Sequence, residues 1–268
     1  MPRENLKVGL AGLGAVGLDV ARRLEAGIPG LRLAAVAVRD HDKARRNLPR
    51  SDVEIVALDV LQQWCDVVVE CLPPSLFRAV AEPAIAWERI FMPLSVGQLL
   101  ENWDLVAYAK QTGARILVPT GALIGLDAVR AAAEGTIHSV KMVTRKPPDG
   151  LEGAPYLIER GISLKDLKEP KKIFDGSARE GARGFPANVN VAAALSLAGI
   201  GPDKTRLEIW ADPTITRNTH RIEVDADTAR FSMTIEGVPS ENPRTGRIVP
   251  LSAIAALRGL VSELKVGT

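Results

Sequence analysis

Lys7-Val8-Gly9-Leu10-Ala11 runs straight into Gly12-Leu13-Gly14-Ala15-Val16-Gly17, and Asp19-Val20-Ala21-Arg22-Arg23-Leu24 follows in a helical pattern. An apolar run, a glycine turn and a helix, in that order, open a dinucleotide-binding fold. Gly12 permits the tight turn, Gly14 lets the backbone approach a pyrophosphate, and Gly17 lets the helix pack close against the strand. Ala15 and Val16 begin that helix, whose unpaired N–H groups and positive dipole end attract anions before any side chain takes part. A second apolar run, Leu31-Arg32-Leu33-Ala34-Ala35-Val36-Ala37-Val38, completes the β-α-β unit.

The end of that second run bears on cofactor choice. An acidic side chain there accepts hydrogen bonds from the ribose hydroxyls of NAD, whereas an arginine accommodates the 2′-phosphate of NADP. Here Arg39 comes first and Asp40 second, so the expected cofactor is NAD or NADP.

Outward from this unit the pattern repeats. Asp66-Val67-Val68-Val69-Glu70-Cys71-Leu72 reads as a buried parallel strand stopped by Pro73-Pro74. Leu76 to Trp87 is helical with a break or kink at Pro83. Glu88 to Pro93 is a strand leading to the small-residue loop Ser95-Val96-Gly97. Leu99 to Gly113 reads as one helix, and Ala114 to Val118 as a strand ending at Pro119-Thr120-Gly121-Ala122. Strands and helices that alternate in this way predict a doubly wound parallel sheet, an α/β Rossmann domain over residues 1–122.

Beyond Leu123 the rhythm changes. A helix to Glu134 precedes the alternating segment Ser139 to Thr144, and Glu152 to Arg183 is polar with one helix expected near Leu164. Asn188 to Ala198 is helical. Segments 205–210, 220–224 and 229–235 alternate like strands with one face on a core. A second, α+β domain is expected over 123–250, with a largely antiparallel or mixed sheet. The amphipathic stretch Leu251 to Leu264 is expected to pack back, as part of 251–268, on the first domain.

Composition narrows the function class. The chain has 268 residues, 46% hydrophobic and 25% charged, with 34 basic against 32 acidic side chains dispersed along its length. That balance describes an ordinary globular protein and gives no basic stripe for nucleic acid. No apolar run reaches the roughly 18 residues of a membrane span. The first residues carry no basic and apolar leader pattern, so a cytoplasmic location is the default expectation. Cys65 and Cys71 read as buried thiols rather than a disulfide framework.

Candidate chemistry is sparse. Of three histidines, His41 and His138 lie in charged or junctional positions, while His220 enters a strand from the polar stretch Asp212 to Thr219. A histidine at such a strand mouth exchanges protons near neutral pH, as oxidation of an amine or alcohol requires. No histidine pair has metal spacing, and no serine, histidine and acid spacing suggests acyl transfer. Asn188 and Asn190 open a helix, where asparagine caps well, and two neighbouring amides also suit a carboxamide or carboxylate.

At these residues the sequence resembles the L-aspartate dehydrogenase family along nearly its whole length. The resemblance is carried by the glycine loop, Ser95-Val96-Gly97, Pro119-Thr120-Gly121-Ala122, Thr144-Arg145-Lys146-Pro147-Pro148, Asn188-Val189-Asn190-Val191-Ala192-Ala193, Asp212-Pro213 with Asn218 and His220, and Pro239-Ser240 with Asn242-Pro243. Asn188-Val189-Asn190-Val191-Ala192-Ala193 and Asn218-Thr219-His220 are far more specific than the glycines. Thr120 stands where the family often has serine. The resemblance implies that the second domain serves substrate binding and dimerisation, in a homodimer that converts L-aspartate with NAD or NADP to iminoaspartate, which hydrolyses to oxaloacetate and ammonia, feeding NAD biosynthesis. It further implies that His220 is catalytic and that Ala122 and Asn188 or Asn190 touch the cofactor. On this reading Ser95, Gly97 and Gly121 lie beside the nicotinamide, and Arg145, Lys146 and Asn218 are candidates for the substrate carboxylates. Rival readings are a related enzyme acting on homoserine, dihydrodipicolinate or another amino acid, and a dinucleotide sensor without turnover.

Overall fold

The computed structural model describes residues 5–49, 52–186, 188–238 and 246–267. The chain divides into two compact units, Met1–Pro119 with Pro250–Lys265, and Thr120–Val249 with Val266–Thr268.

The first unit begins with β1 (Leu6–Ala11), α1 (Ala15–Glu25), β2 (Leu31–Ala37), α2 (His41–Asn47) and β3 (Glu54–Val56). After a 3-10 turn at Leu58–Gln63 it continues with β4 (Val67–Glu70), α3 (Phe77–Ala86), β5 (Ile90–Pro93), α4 (Gly97–Glu101), α5 (Asp104–Thr112) and β6 (Arg115–Ile116). The strands form a six-stranded sheet in the order β3-β2-β1-β4-β5-β6, every pairing parallel. This is the dinucleotide-fold order, and the direction of winding reverses between β1 and β4, where such sheets bind ligands at their carboxyl ends. Val8 and Leu10 of β1, Val36 of β2, Val67 and Val69 of β4 and Met92 of β5 build the core with Val20 and Leu24 of α1. These strands are apolar on both faces because helices cover both.

Pro83 lies inside α3 without breaking it. One detail differs from the sequence expectation. The single helix expected over Leu99 to Gly113 is two, α4 and α5, separated at Asn102, whose side chain donates to the carbonyl of Gln98 at 2.9 Å. Asparagine favours such local bonding over continued helix.

The second unit contains α6 (Leu126–Ala133), β7 (Ile137–Lys146), α7 (Pro155–Glu159), β8 (Lys171–Ser177), α8 (Ala178–Gly184), α9 (Asn190–Ala198), β9 (Arg206–Ala211), β10 (Asn218–Ala226) and β11 (Arg230–Gly237). α10 (Ile248–Val261) then carries the chain back into the first unit. The second sheet has the order β11-β10-β7-β9-β8 and is mixed, since β7 and β9 run parallel while its other pairs are antiparallel.

The polar stretch from Glu152 to Arg183 folds differently from its expectation. No helix forms at Leu164; α7, β8 and α8 appear instead. Tyr156, Phe174 and Phe185 hold these elements together, with ring centroids 5.2–5.7 Å apart. Ser177 and Glu180 form a capping box that starts α8. The segments Pro239-Ser240 and Asn242-Pro243 lie outside the described residues.

Candidate functional site

In the first unit the site is made of backbone. Gly12 has φ +97°, a conformation that disfavours any side chain with a Cβ. A Cβ on Gly17 would stand 2.2 Å from the Gly12 carbonyl oxygen, so the close approach of α1 to the turn requires glycine there. At Gly14 a Cβ would meet no atom within 4 Å, and Gly14 caps α1 with no side-chain bond. Open space in front of uncapped helix amides, with no acidic residue in the first turn, is what a pyrophosphate needs. These residues fit a dinucleotide.

The strand ends beside this loop are fixed by a group that was not singled out from the sequence. Glu70, at the end of β4, is fully buried. Its Oε1 accepts from the Leu72 N–H at 2.9 Å and from the Ser95 hydroxyl at 3.1 Å, and its Oε2 accepts from the Ser95 N–H at 2.9 Å. Burial pushes its pKa up, and the N–H groups of Ser95 and Leu72 oppose that rise. Glu70 thereby ties the loop after β4 to the Ser95-Val96-Gly97 loop after β5. At the end of β2, Asp40 caps α2 by accepting the Lys43 N–H at 2.8 Å, while Arg39 is exposed.

In the second unit a sheet face changes character along its length. Val140 and Met142 of β7 and Ile222 and Val224 of β10 alternate into the core. The same faces continue as Thr144 and Lys146 on β7 and as His220 and Asn218 on β10, all 4% exposed or less. Four polar groups therefore occupy positions the alternation assigns to apolar residues, and buried polar groups require partners.

His220 pairs in register with Thr144, and its Nδ1 lies 3.1 Å from the Thr144 hydroxyl. Burial and then the Lys146 charge lower the His220 pKa to about 3, so the imidazole is neutral. Lys146 donates to Asn188 Oδ1 at 2.8 Å. Asn218 Oδ1 is buried with no hydrogen-bond partner. Asp212, whose N–H donates to the Lys146 carbonyl, accepts from the Thr214 N–H and hydroxyl and from Arg145. Burial raises the Asp212 carboxyl, but these donors outweigh it and hold the pKa below the usual range.

The residues singled out from the sequence fall into separate groups. Gly12, Gly14, Ala15, Val16, Gly17, Arg39, Asp40, Ser95 and Gly97 lie in the first unit, and Gly121, Ala122, Asn188 and Asn190 in the second. His220, Lys146 and Asn218 share one sheet face with Asn188 against Lys146. Arg145 does not join them. Its guanidinium lies over the Trp210 ring at 4.7 Å and reaches Asp212 at 3.3 Å. Asn188 does not cap α9, which starts at Asn190. Among the described residues no cluster of three His, Cys, Asp or Glu suits a metal.

Residues 127–260 match the family model described as aspartate dehydrogenase, C-terminal, and residues 12–119 match that described as homoserine dehydrogenase, NAD binding domain. The sequence is 58% identical over 267 residues to the L-aspartate dehydrogenase of Bradyrhizobium diazoefficiens, covering 99% of this chain and 95% of that one. The chain belongs to the L-aspartate dehydrogenase family. The L-aspartate dehydrogenase of Methanocella arvoryzae is 40% identical, with 98% of this chain and 99% of the relative covered. The fold is similar to that of the Thermotoga maritima aspartate dehydrogenase, with TM-score 0.76 over 98% of this chain and 100% of that one at 23% identity. As a member of the aspartate dehydrogenase family the chain combines a nicotinamide-dinucleotide-binding domain with a second domain whose mixed sheet carries His220.

Proposed function

We propose that the protein oxidises L-aspartate to iminoaspartate with NAD or NADP, the imine then hydrolysing to oxaloacetate and ammonia. The observation that carries this reading is the buried set of His220, Lys146 and Asn218 on one sheet face, with Asn188 bonded to Lys146, in a chain of this family. When bound, the nicotinamide supplies a hydride acceptor and so the difficult chemistry. Gly12, Gly14, Gly17 and the first amides of α1 would hold the pyrophosphate, while Ser95, Gly97, Gly121 and Ala122 are assigned to the nicotinamide end by the family resemblance alone.

Lys146 supplies positive charge for a substrate carboxylate, with Arg145 a second cation nearby in sequence. His220 is the proton acceptor, either from the substrate nitrogen or from the water that hydrolyses the imine. A neutral imidazole is ready for that role. The role requires the tautomer in which Nδ1–H donates to the Thr144 hydroxyl, leaving the Nε2 lone pair for the reaction. Two carboxylates entering beside His220 offset the Lys146 charge and raise the imidazole pKa toward the working range.

Arg39 and Asp40 are both exposed, and Asp40 Oδ1 accepts from the Lys43 N–H in capping α2, so Arg39 is the group we assign to a 2′-phosphate. A cytoplasmic homodimer supplying NAD biosynthesis completes the reading; its support is the family resemblance, and mass measurement in solution tests the dimer. The decisive experiment is reduction of oxaloacetate plus ammonia with NADH and NADPH in parallel, on wild type and Arg39→Ala. Turnover with either cofactor is expected, and Arg39→Ala raises KM for NADPH more than for NADH. No turnover with either cofactor would reject the function.

A further inference from the structure

Among the described residues two buried side-chain atoms lack a hydrogen-bond partner, Glu25 Oε1 and Asn218 Oδ1. Glu25 is half-buried at the end of α1, whereas Asn218 is 4% exposed. An amide oxygen taken from water and left unbonded destabilises the fold, so its retention calls for a ligand that completes it. Asn218 shares the His220 face of β10. Thr219 pairs with Arg145 and His220 with Thr144, which sets Asn218 beside Lys146 where the two strands end.

Resting on the proposed aspartate chemistry, we infer that Asn218 Oδ1 receives an N–H of the substrate amine, and that Lys146 on the same face serves a carboxylate. The orphaned atom is an acceptor. Carboxylates at neutral pH only accept, so they cannot complete it; an amine donates. The site thus holds one group for each kind of substrate atom: a cation for an anion, a carbonyl oxygen for an N–H.

An amide suits this place better than a carboxylate. Hydride leaves the aspartate α-carbon as the nitrogen lone pair forms the C=N bond, so the ammonium must first release a proton, here to His220. The hydride passes to the oxidised nicotinamide and the iminium remains. A carboxylate at position 218 would stabilise the ammonium and hold it protonated. The neutral oxygen accepts from the amine while the Lys146 charge favours proton loss.

Titration calorimetry with L-aspartate and with succinate, which has both carboxylates and no amine, tests this in the presence of NADPH, which cannot accept hydride. For Asn218→Leu the expected result is an affinity loss of about tenfold for aspartate and less than about twofold for succinate. The melting temperature should equal or exceed that of wild type, because the variant removes an unpaired buried acceptor. Asn218→Asp should retain the preference for aspartate over succinate but need a higher pH to reach its maximal kcat. Equal loss of both acids in Asn218→Leu, a lowered melting temperature with unchanged aspartate preference, or an unshifted pH profile in Asn218→Asp would overturn the inference. Wild type that reduces oxaloacetate but prefers succinate to aspartate would overturn it while leaving the proposed function standing. Wild type that binds neither acid and turns over neither substrate would remove both.

Discussion

Burial keeps the His220 imidazole neutral, and that has a measurable cost in acid. In the unfolded chain the imidazole takes up a proton near its ordinary value of about 6.5. In the fold it does so near about 3, because burial and then Lys146 disfavour the charged form. Between those values the unfolded chain binds the extra proton, so stability is fully present above about pH 6.5 and is lost as pH falls toward about 3. Calorimetric melting of His220→Asn should therefore show a smaller fall in melting temperature from about pH 7 to pH 4.5 than wild type, and its kcat should drop by about 10²- to 10⁴-fold with dinucleotide affinity retained. A parallel pH dependence in both proteins would mean that the imidazole is not held neutral. The histidine was singled out by its polar strand mouth and by the family resemblance, and the fold places it at a buried sheet position. Its partner was not singled out, since Thr144 lies 76 residues away and meets it through strand pairing. The capping role that Asn188 also suggests fails for a similar reason: α9 starts at Asn190, and the Asn188 side-chain oxygen accepts from Lys146, 42 residues distant.

Between strands and helices, the glycine loop separates architecture from ligand. Gly17→Ala forces a Cβ into the Gly12 carbonyl, so both melting temperature and dinucleotide affinity should fall. Gly14→Ala meets open space, so the melting temperature should stay near that of wild type while dinucleotide Kd, read by fluorescence titration, rises by about tenfold. Loss of both properties in Gly14→Ala would show that the turn, rather than the pyrophosphate, requires glycine there. The Glu70 tie makes a second prediction. Glu70→Gln places an NH₂ where N–H or O–H groups now donate, and urea unfolding should show a loss of about 1–3 kcal/mol, the cost of an unmet buried donor. The first domain's strands were legible because a parallel sheet covered on both faces writes itself as β-branched runs. β8 was not, because Lys171-Lys172-Ile173-Phe174-Asp175-Gly176-Ser177 is an edge strand whose register slips between Lys172 and Phe174, placing its apolar residues next to each other rather than in alternation. The Ser177–Glu180 capping box after it was not singled out from the sequence, although its serine and glutamate stand at the capping-box spacing.

At the scale of the molecule, the first unit is discontinuous. Ala253, Ile254 and Leu257 of α10 belong to the same apolar core as Val8, Val20 and Leu24, although about half the chain intervenes. Leu257 is fully buried, and Leu257→Ala should cost about 2–5 kcal/mol. The loss should appear in the unfolding transition that bound dinucleotide raises, and calorimetry with and without NADPH distinguishes it. During synthesis, residues up to Pro119 leave the ribosome with every strand of the parallel sheet present but with one patch of their core uncovered. The patch stays open until the helix at Ile248–Val261 emerges, after the second domain has been made. The domain that is encoded first is therefore the one that is finished last.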